Sequence, residues 1–402
     1  MRYLVLGLAR SGRAAALALA RRGERVVAAD RSPEADRGRL AETGVEIHLG
    51  TEETSLLEGV DVLIKSPGVP SEAPLVTAAR ERGIPVWSEV ELGSRLLSSP
   101  ILGVTGTNGK TTTSALLGVM LGAPVAGNIG RALTEYDGSE GNGWIVCELS
   151  SFQLEDIHEF RPRIAVLLNL EPDHLDRHGT FEAYRDAKLR IFENQETGDV
   201  AIVPRGFGAI PGRARRVEFS ADDALPAEPR IPGAHNRENA AAAVAAAREA
   251  GAGEEQIAEA LREFPGVPHR LEEVAEIRGV RFVNDSKATN AAAARRAVAS
   301  FDGPLHVILG GLGKNESYAD LAADLRARGA RAYLIGAAAG ELAEAIEDHD
   351  LSGDLATAVR SAAAAAKPGE IVLLSPACAS YDQFTDFEQR GDEFRRLVEA
   401  LR

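Results

Sequence analysis

Residues 101–112 read Ile101-Leu102-Gly103-Val104-Thr105-Gly106-Thr107-Asn108-Gly109-Lys110-Thr111-Thr112. An apolar run of strand character enters a glycine-rich turn, and the helix-competent stretch TTSALLGVML follows. The context matters more than the letters. The glycines let the backbone curl so that N–H groups point at phosphate oxygens, and the next helix adds partial positive charge at its first turn. Lys110 then reaches the β- and γ-phosphates of a nucleoside triphosphate, and a hydroxyl from Thr111 or Thr112 suits Mg²⁺. The general spacing asks for glycine where this chain has Val104, and Gly103 stands one place too early. The segment is therefore a variant phosphate loop, with a glycine-rich turn lacking nucleotide as the plain alternative.

Outward from this loop, short apolar runs alternate with amphipathic helical stretches, the pattern of parallel sheets covered by helices. Before it stand RYLVLGL, a helix from about Ser11, RVVAAD, VEIHL and DVLIKS. Ser32-Pro33 has the form of a helix N-cap followed by proline at the first helical position. After the loop come GWIVCEL, RIAVLLNL and DVAIVP, a Pro/Gly-rich stretch over 204–233, and an alanine-rich helix. Pro265-Gly266-Val267-Pro268 reads as a linker, and RFVNDS, PLHVILGG, RAYLIG and EIVLLSP follow. The expected fold is α/β: three consecutive domains with mostly parallel sheets. These are a Rossmann-like domain over 1–92, a P-loop domain over 93–266 and a second Rossmann-like domain over 267–402. Ligands then belong at the C-terminal ends of the strands. Ala240–Ala247 and Ala362–Ala366 read as helix-forming filler.

The 402 residues exceed one ordinary domain, and 45% hydrophobic residues suffice for proper cores. A formal net charge of −15 argues against nucleic acid and anionic membranes as partners. Small anionic substrates remain compatible, because backbone N–H groups, a few lysines and metal ions can hold them. Cys147 and Cys378 lack metal-ligand spacing and fit buried thiols in a reducing cytosol. No signal-peptide pattern opens the chain and no apolar run approaches the roughly 20 residues of a membrane span. A cytoplasmic protein without membrane insertion is expected.

Strand GWIVC runs into Glu148, and strand RIAVLLNL runs into Glu171-Pro172-Asp173-His174-Leu175-Asp176-Arg177-His178. Two strand ends thus deliver acids and histidines to one sheet edge. Zinc is poorly supported, since neither cysteine nor HExxH spacing is present. Oxygen-preferring Mg²⁺ fits better, with Glu148 as ligand and His174 as an unusual nitrogen donor. Tyr184–Phe192 reads as a helix with a charged face, on which Lys188 would by default be solvated.

TGTNGKTT, the ELSSFQ acid, the DHLDRH histidine and the later helix lysine occur in the order found in the Mur ligases and the folylpolyglutamate synthetases. Asn284-Asp285-Ser286-Lys287-Ala288-Thr289-Asn290, SPACASYDQF over 375–384 and Phe387-Glu388-Gln389-Arg390-Gly391 make the chain most similar to the Mur ligases, over nearly its whole length. Within that family they resemble the branch that joins D-glutamate to UDP-N-acetylmuramoyl-L-alanine. The resemblance implies a first domain for the UDP part of the acceptor, a central ATP domain and a third domain for the amino acid. It implies phosphorylation of the acceptor carboxylate and attack by the amine on the acyl phosphate, with ATP and Mg²⁺, in a monomer.

By resemblance, Arg10, Ser11, Asp30, Arg31, Gly68, Asn128, Ser150 and Gln153 contact the UDP-linked substrate. Gly106 to Thr112, Asn236, Asn239, Arg270 and Asp285 contact ATP. Lys110, Glu148, His174 and Lys188 are catalytic. Thr111, Glu148, His174 and Lys188, the last carbamylated by CO₂, serve the metal. Lys287, Thr289, Lys314, Ser380 and Phe387 form the D-glutamate pocket. Two departures stand out: Ala9 replaces the middle glycine of Gly7-Leu8-Ala9-Arg10-Ser11-Gly12, which disfavours NAD, and Asn315 follows Lys314 where glycine is usual. An L-glutamate-adding homologue stays open. A folylpolyglutamate synthetase is opposed by NDSKATN and SPACAS. A nucleotide-dependent switch is opposed by the joint presence of Lys110, Glu148, His174 and Lys188.

Overall fold

The computed structural model describes residues 1–136, 143–231, 233–313 and 316–402. Five strands come first: β1 (Arg2–Leu6), β2 (Arg25–Asp30), β3 (Glu46–Leu49), β4 (Val62–Lys65) and β5 (Val86–Ser88). They form an all-parallel sheet in the order β3-β2-β1-β4-β5. Its central strands are buried on both faces, which is why they read as unbroken apolar runs rather than alternating ones. The connection changes direction between β1 and β4, opening a crevice at their carboxyl ends.

The second sheet holds β6 (Ile101–Thr105), β7 (Val125–Gly127), β8 (Ile145–Glu148), β9 (Ile164–Leu167), β10 (Val200–Pro204) and β11 (Arg215–Phe219), again all parallel. Its order is β11-β10-β9-β6-β8-β7, so β6 sits between β8, which ends in Glu148, and β9, whose exit leads to Glu171. The third sheet holds β12 (Glu272–Ile277), β13 (Val280–Asn284), β14 (Leu305–Gly310), β15 (Arg331–Ile335), β16 (His349–Gly353) and β17 (Ile371–Leu374). Its order is β12-β13-β17-β14-β15-β16, with only β12 antiparallel. The three sheets match the three α/β segments of the sequence. The first two share one compact unit, Met1–Phe264, and the third forms another, Pro265–Arg402.

Some local expectations are corrected. Ser32-Pro33 starts no helix. Asp30 Oδ1 accepts from Ser32 N at 2.8 Å, and Ser32 Oγ accepts from Glu34 N at 3.3 Å, so the side chains close turns and leave no helical ladder to cap. The first regular element there is a 3₁₀ turn at Gly38–Glu42. The alanine run is more than filler: Ala240–Ala243, Ala246 and Ala247 are buried along helix Ala234–Glu249, whose small side chains admit close packing against helix Lys110–Leu121. Among the described residues, no helix is long and apolar enough to cross a membrane.

Buried polar contacts join the first two sheets. Glu91, in helix Glu89–Leu96, accepts from the backbone N–H of His158 at 2.9 Å, Glu159 at 3.0 Å and Phe160 at 2.8 Å, and pairs with Arg95 at 2.6 Å. Glu89 accepts from Thr134 N at 2.6 Å, and burial pushes its carboxyl up to about 7. Lys65, fully buried, pairs with Asp156 at 2.7 Å and Glu155 at 3.3 Å. Glu91→Ala strands three backbone donors. It should cost the first unit about 3 kcal/mol or more in denaturant unfolding. An unchanged midpoint would show that these contacts do not hold the two sheets together.

Candidate active site

The crevice at the first sheet is a cavity of about 350 Å³. Arg10, Ser11, Asp30, Arg31, Gly68, Asn128 and Gln153 line it, seven of the eight residues expected for the UDP-linked substrate. Ser150 does not. It caps the short helix Ser151–Leu154, reciprocating hydrogen bonds with Gln153, and so orients the residue that does line the cavity. Asp30 terminates β2, and its Oδ2 accepts from Leu8 N at 2.7 Å, fixing the turn after β1. Gly12 stands where a Cβ would strike the Gly7 carbonyl, so the helix can start tight against that turn. Lys65, at the end of β4, points into the buried ion pairs described above, while Ser66 donates to Gly7 O at 2.7 Å.

The phosphate loop follows β6 and opens helix Lys110–Leu121, as its sequence predicts. Gly109 has φ +82°, and a Cβ there would overlap the Asn239 side chain. Asn239, expected near the nucleotide, thus abuts the loop; Asn236 lies one turn earlier on the same helix and is also buried. The loop is braced from β9. Thr107 N donates to Asn169 O at 3.0 Å, Asn108 N to Asn169 Oδ1 at 2.8 Å, and Asn108 Nδ2 to Glu171 Oε2 at 2.8 Å. The Tyr184 hydroxyl donates to Thr107 Oγ1 at 3.0 Å. Sequence reasoning missed Asn169 and Tyr184, because their roles are contacts across more than 60 residues rather than motifs. Lys110 donates to Gly106 O and Thr107 O, both at 2.8 Å, lying over its own loop; Thr111 and Thr112 are buried at the helix start.

Lys188 is not the solvated lysine its charged helix suggested. Its Nζ is buried and donates to Gly106 O at 2.8 Å, on the same carbonyl as Lys110. Burial, then repulsion from Lys110, pushes its ammonium down to about 6, against weaker opposing pulls from Asp173 and Glu148. Glu148 ends β8 and is buried. Its Oε1 accepts from Asn128 Nδ2 at 2.8 Å, and its Oε2 is buried without a hydrogen-bond partner among the described residues. That orphaned carboxylate oxygen fits a hard cation. Asn128 also lines the cavity, so one hydrogen bond joins the cavity wall to the end of β8, the strand paired with β6. His174 is exposed, at φ 51°, 3.7 Å from Asp173 and tilted against the Phe152 ring at 4.9 Å. Among the described residues, no three His, Cys, Asp or Glu side chains gather as a metal cluster.

In the second unit, the loops after β13 and β17 meet around Arg390, which motif reading quoted without a role. Its buried guanidinium donates to Ser286 Oγ at 3.0 Å, Ser286 O at 2.9 Å and Cys378 O at 3.1 Å. Burial pushes it down to about 10. Ser286 Oγ donates to Phe387 O at 2.8 Å, and the Lys287 ammonium stands 5.9 Å over the Phe387 ring. Thr289 N bonds Lys287 O at 2.9 Å, and Ser380 is buried on the β17 loop. Three of the five expected D-glutamate residues thus lie on loops braced around Arg390, and Phe387 opens the helix that carries it; Lys314, with Asn315, falls outside the described residues. Asp285 is buried, accepting from Ser375 Oγ at 2.8 Å, and burial pushes it up to about 7, opposed in part by Ser375 and Arg270. Arg270 lies on the turn bridged to Val267.

A phosphate loop, a cavity at a Rossmann-like switch point and a third α/β domain define a class, and comparison supplies its name. The chain matches the Mur ligase MurD-like N-terminal domain over residues 1–88, the Mur ligase middle domain over 104–207 and the Mur ligase glutamate ligase domain over 269–378. It belongs to the Mur ligase family. The UDP-N-acetylmuramoylalanine–D-glutamate ligase of Acidobacterium capsulatum is 43% identical, covering 100% of this chain and 96% of that protein. Two solved structures share the fold. A MurF ligase from Thermotoga maritima in complex with ADP has a TM-score of 0.61 at 18% identity, covering 94% of this chain and 96% of that one. A bifunctional folylpolyglutamate synthase/dihydrofolate synthase from Yersinia pestis, complexed with AMPPNP and a manganese ion, has a TM-score of 0.56 at 19% identity, covering 78% and 92%.

Asp30→Ala removes the acceptor for two backbone N–H groups at the cavity. In calorimetry it should weaken UDP-sugar binding about tenfold or more and leave nucleoside-triphosphate affinity within about twofold. The reverse pattern would mean the cavity has been misassigned.

Proposed function

We propose that this chain is an ADP-forming ligase that joins D-glutamate to UDP-N-acetylmuramoyl-L-alanine in the cytoplasm, acting as a monomer with ATP and Mg²⁺. One link carries the reading: Asn128, on the cavity wall, donates to Glu148 at the strand end beside the phosphate loop. An acceptor held at its uridine end near Asp30 would bring its far carboxylate to that link. The full-length similarity to a D-glutamate ligase supports the choice of acceptor and amino acid. In this reading residues 1–92 hold the acceptor, 93–266 hold ATP and 267–402 hold the amino acid.

The chemistry follows from what a carboxylate lacks. Its oxygen is a poor leaving group until the γ-phosphoryl is transferred to it, with the β–γ bond of ATP broken and ADP released. The D-glutamate amine then attacks the acyl carbon, phosphate departs, and an amide remains. No protein nucleophile is needed. Lys110 and the loop N–H groups offset repulsion between carboxylate and triphosphate. Glu148, Thr111 and His174 are the side chains that would hold Mg²⁺, which supplies further neutralisation of that charge. Lys188 supplies the remaining acid. Its amine, held neutral by burial, attacks CO₂, forms an N–C bond and releases one proton, giving a carbamate whose oxygens suit the same cation. Lys287, Thr289, Lys314, Ser380 and Phe387 would receive the glutamate.

The deciding assay is ADP release with UDP-N-acetylmuramoyl-L-alanine and a panel of D- and L-amino acids. Release should require both acceptor and D-glutamate; release with neither, or equal rates with D-alanine, would refute the reading. Lys110→Ala should lower turnover by roughly 10²–10³ without unfolding the protein. Lys188→Ala should be nearly inactive and regain part of its rate with millimolar acetate or formate. Full activity of that variant without added carboxylate would remove the carbamate from the mechanism.

A further inference from the structure

The short segment that begins at His174 does more than present a histidine. Three residues on, the Arg177 guanidinium leaves the phosphate side and reaches the rim of the acceptor cavity. Its Nη1 donates to Pro67 O at 2.7 Å and its Nη2 to Val69 O at 3.0 Å. Pro67 and Val69 line the cavity. The planar face of the same guanidinium lies 3.9 Å over the ring of Phe152, on the helix that follows Glu148, and Nη2 stands 3.9 Å from Glu155 on that stretch. One rigid fork therefore touches the cavity rim and the β8 exit, and is covalently three residues from His174.

The choice of residue type is physical. Two carbonyl acceptors and a ring face call for a planar, multi-donor cation, and a lysine ammonium can satisfy only part of that demand. The partners Pro67 and Val69 come from a loop about 110 residues away in sequence, with no helix or strand pairing between the two segments. Rim and histidine segment are thus held in register by this side chain.

We infer that Arg177 is a positioning residue that couples acceptor binding to the nucleotide side. An acceptor that orders the Pro67–Val69 rim fixes Arg177, and Arg177 fixes the segment carrying His174. The coupling is reciprocal, since triphosphate bound on the His174 side steadies the rim. This rests on the reading of the cavity as the acceptor site and the loop as the ATP site.

The test is a binding cycle by calorimetry on the full chain. The affinity for UDP-N-acetylmuramoyl-L-alanine is measured with and without AMPPNP plus Mg²⁺, in the unsubstituted protein, Arg177→Met and Arg177→Lys. The unsubstituted protein should bind the acceptor about fivefold or more tightly when the analogue is present. Arg177→Met should keep each separate affinity within about threefold yet show a coupling factor near one, with reduced kcat; a merely structural role would weaken both affinities and leave their ratio alone. Arg177→Lys should restore part of the coupling, and it carries the test should the methionine variant fail to fold. Undiminished coupling in a folded variant, or no coupling in the unsubstituted protein that binds both ligands, overturns the inference while leaving the proposed function standing. Failure of the unsubstituted protein to bind either ligand overturns both.

Discussion

The common direction of β6, β8 and β9 is the constraint from which the site follows. Because the three strands run parallel, their carboxyl ends leave the sheet on one edge. Lys110 follows β6, Glu148 closes β8, and Asn169, Glu171 and His174 follow β9. Parallel pairing forces long crossovers, and those crossovers are the helices that bury both faces. The apolar continuity of the strands and the clustering of polar residues at their ends are thus two results of one arrangement.

Each site loop is also held by a buried polar hub. Around the phosphate loop the hub is Thr107, whose hydroxyl meets the Tyr184 phenol and the backbone of Glu171. In the second unit it is Arg390, which ties the Ser286 loop to the Cys378 loop. In both cases the hub touches backbone carbonyls or amides, so it sets loop shape and leaves other side chains to meet ligand. Such preorganisation means that little structure has to form at the moment of reaction.

How much of this was legible in the sequence depends on the range of the interaction. The phosphate loop is local, so its strand, turn and helix could be read from twelve consecutive residues. Seven cavity residues came from motif resemblance, and they sit together because the strand ends do. The roles of Tyr184, Asn169, Arg177 and Arg390 show in no local pattern, although Arg177 and Arg390 stand inside quoted motifs, since their partners lie far away in the chain. The burial of Lys188 was hidden for the same reason: helical periodicity places it on a charged face, and only tertiary packing covers that face. Ser32-Pro33 misled because capping residues are also turn residues, and without an apolar stripe beyond them the turn prevails. β5, β12 and β16 escaped notice as short or polar edge strands.

The contact between Gly109 and Asn239 has a consequence for how this sequence can drift. Any side chain at position 109 meets two separate objections, the left-handed backbone and the amide of Asn239. Shrinking residue 239 answers only the second, so no paired change reopens the position, and each single change is unfavourable alone. Descendants of this chain are confined there to one residue by geometry. The exposed faces of the two helices involved, Lys110–Leu121 and Ala234–Glu249, are free of that restriction and can diverge around a fixed point.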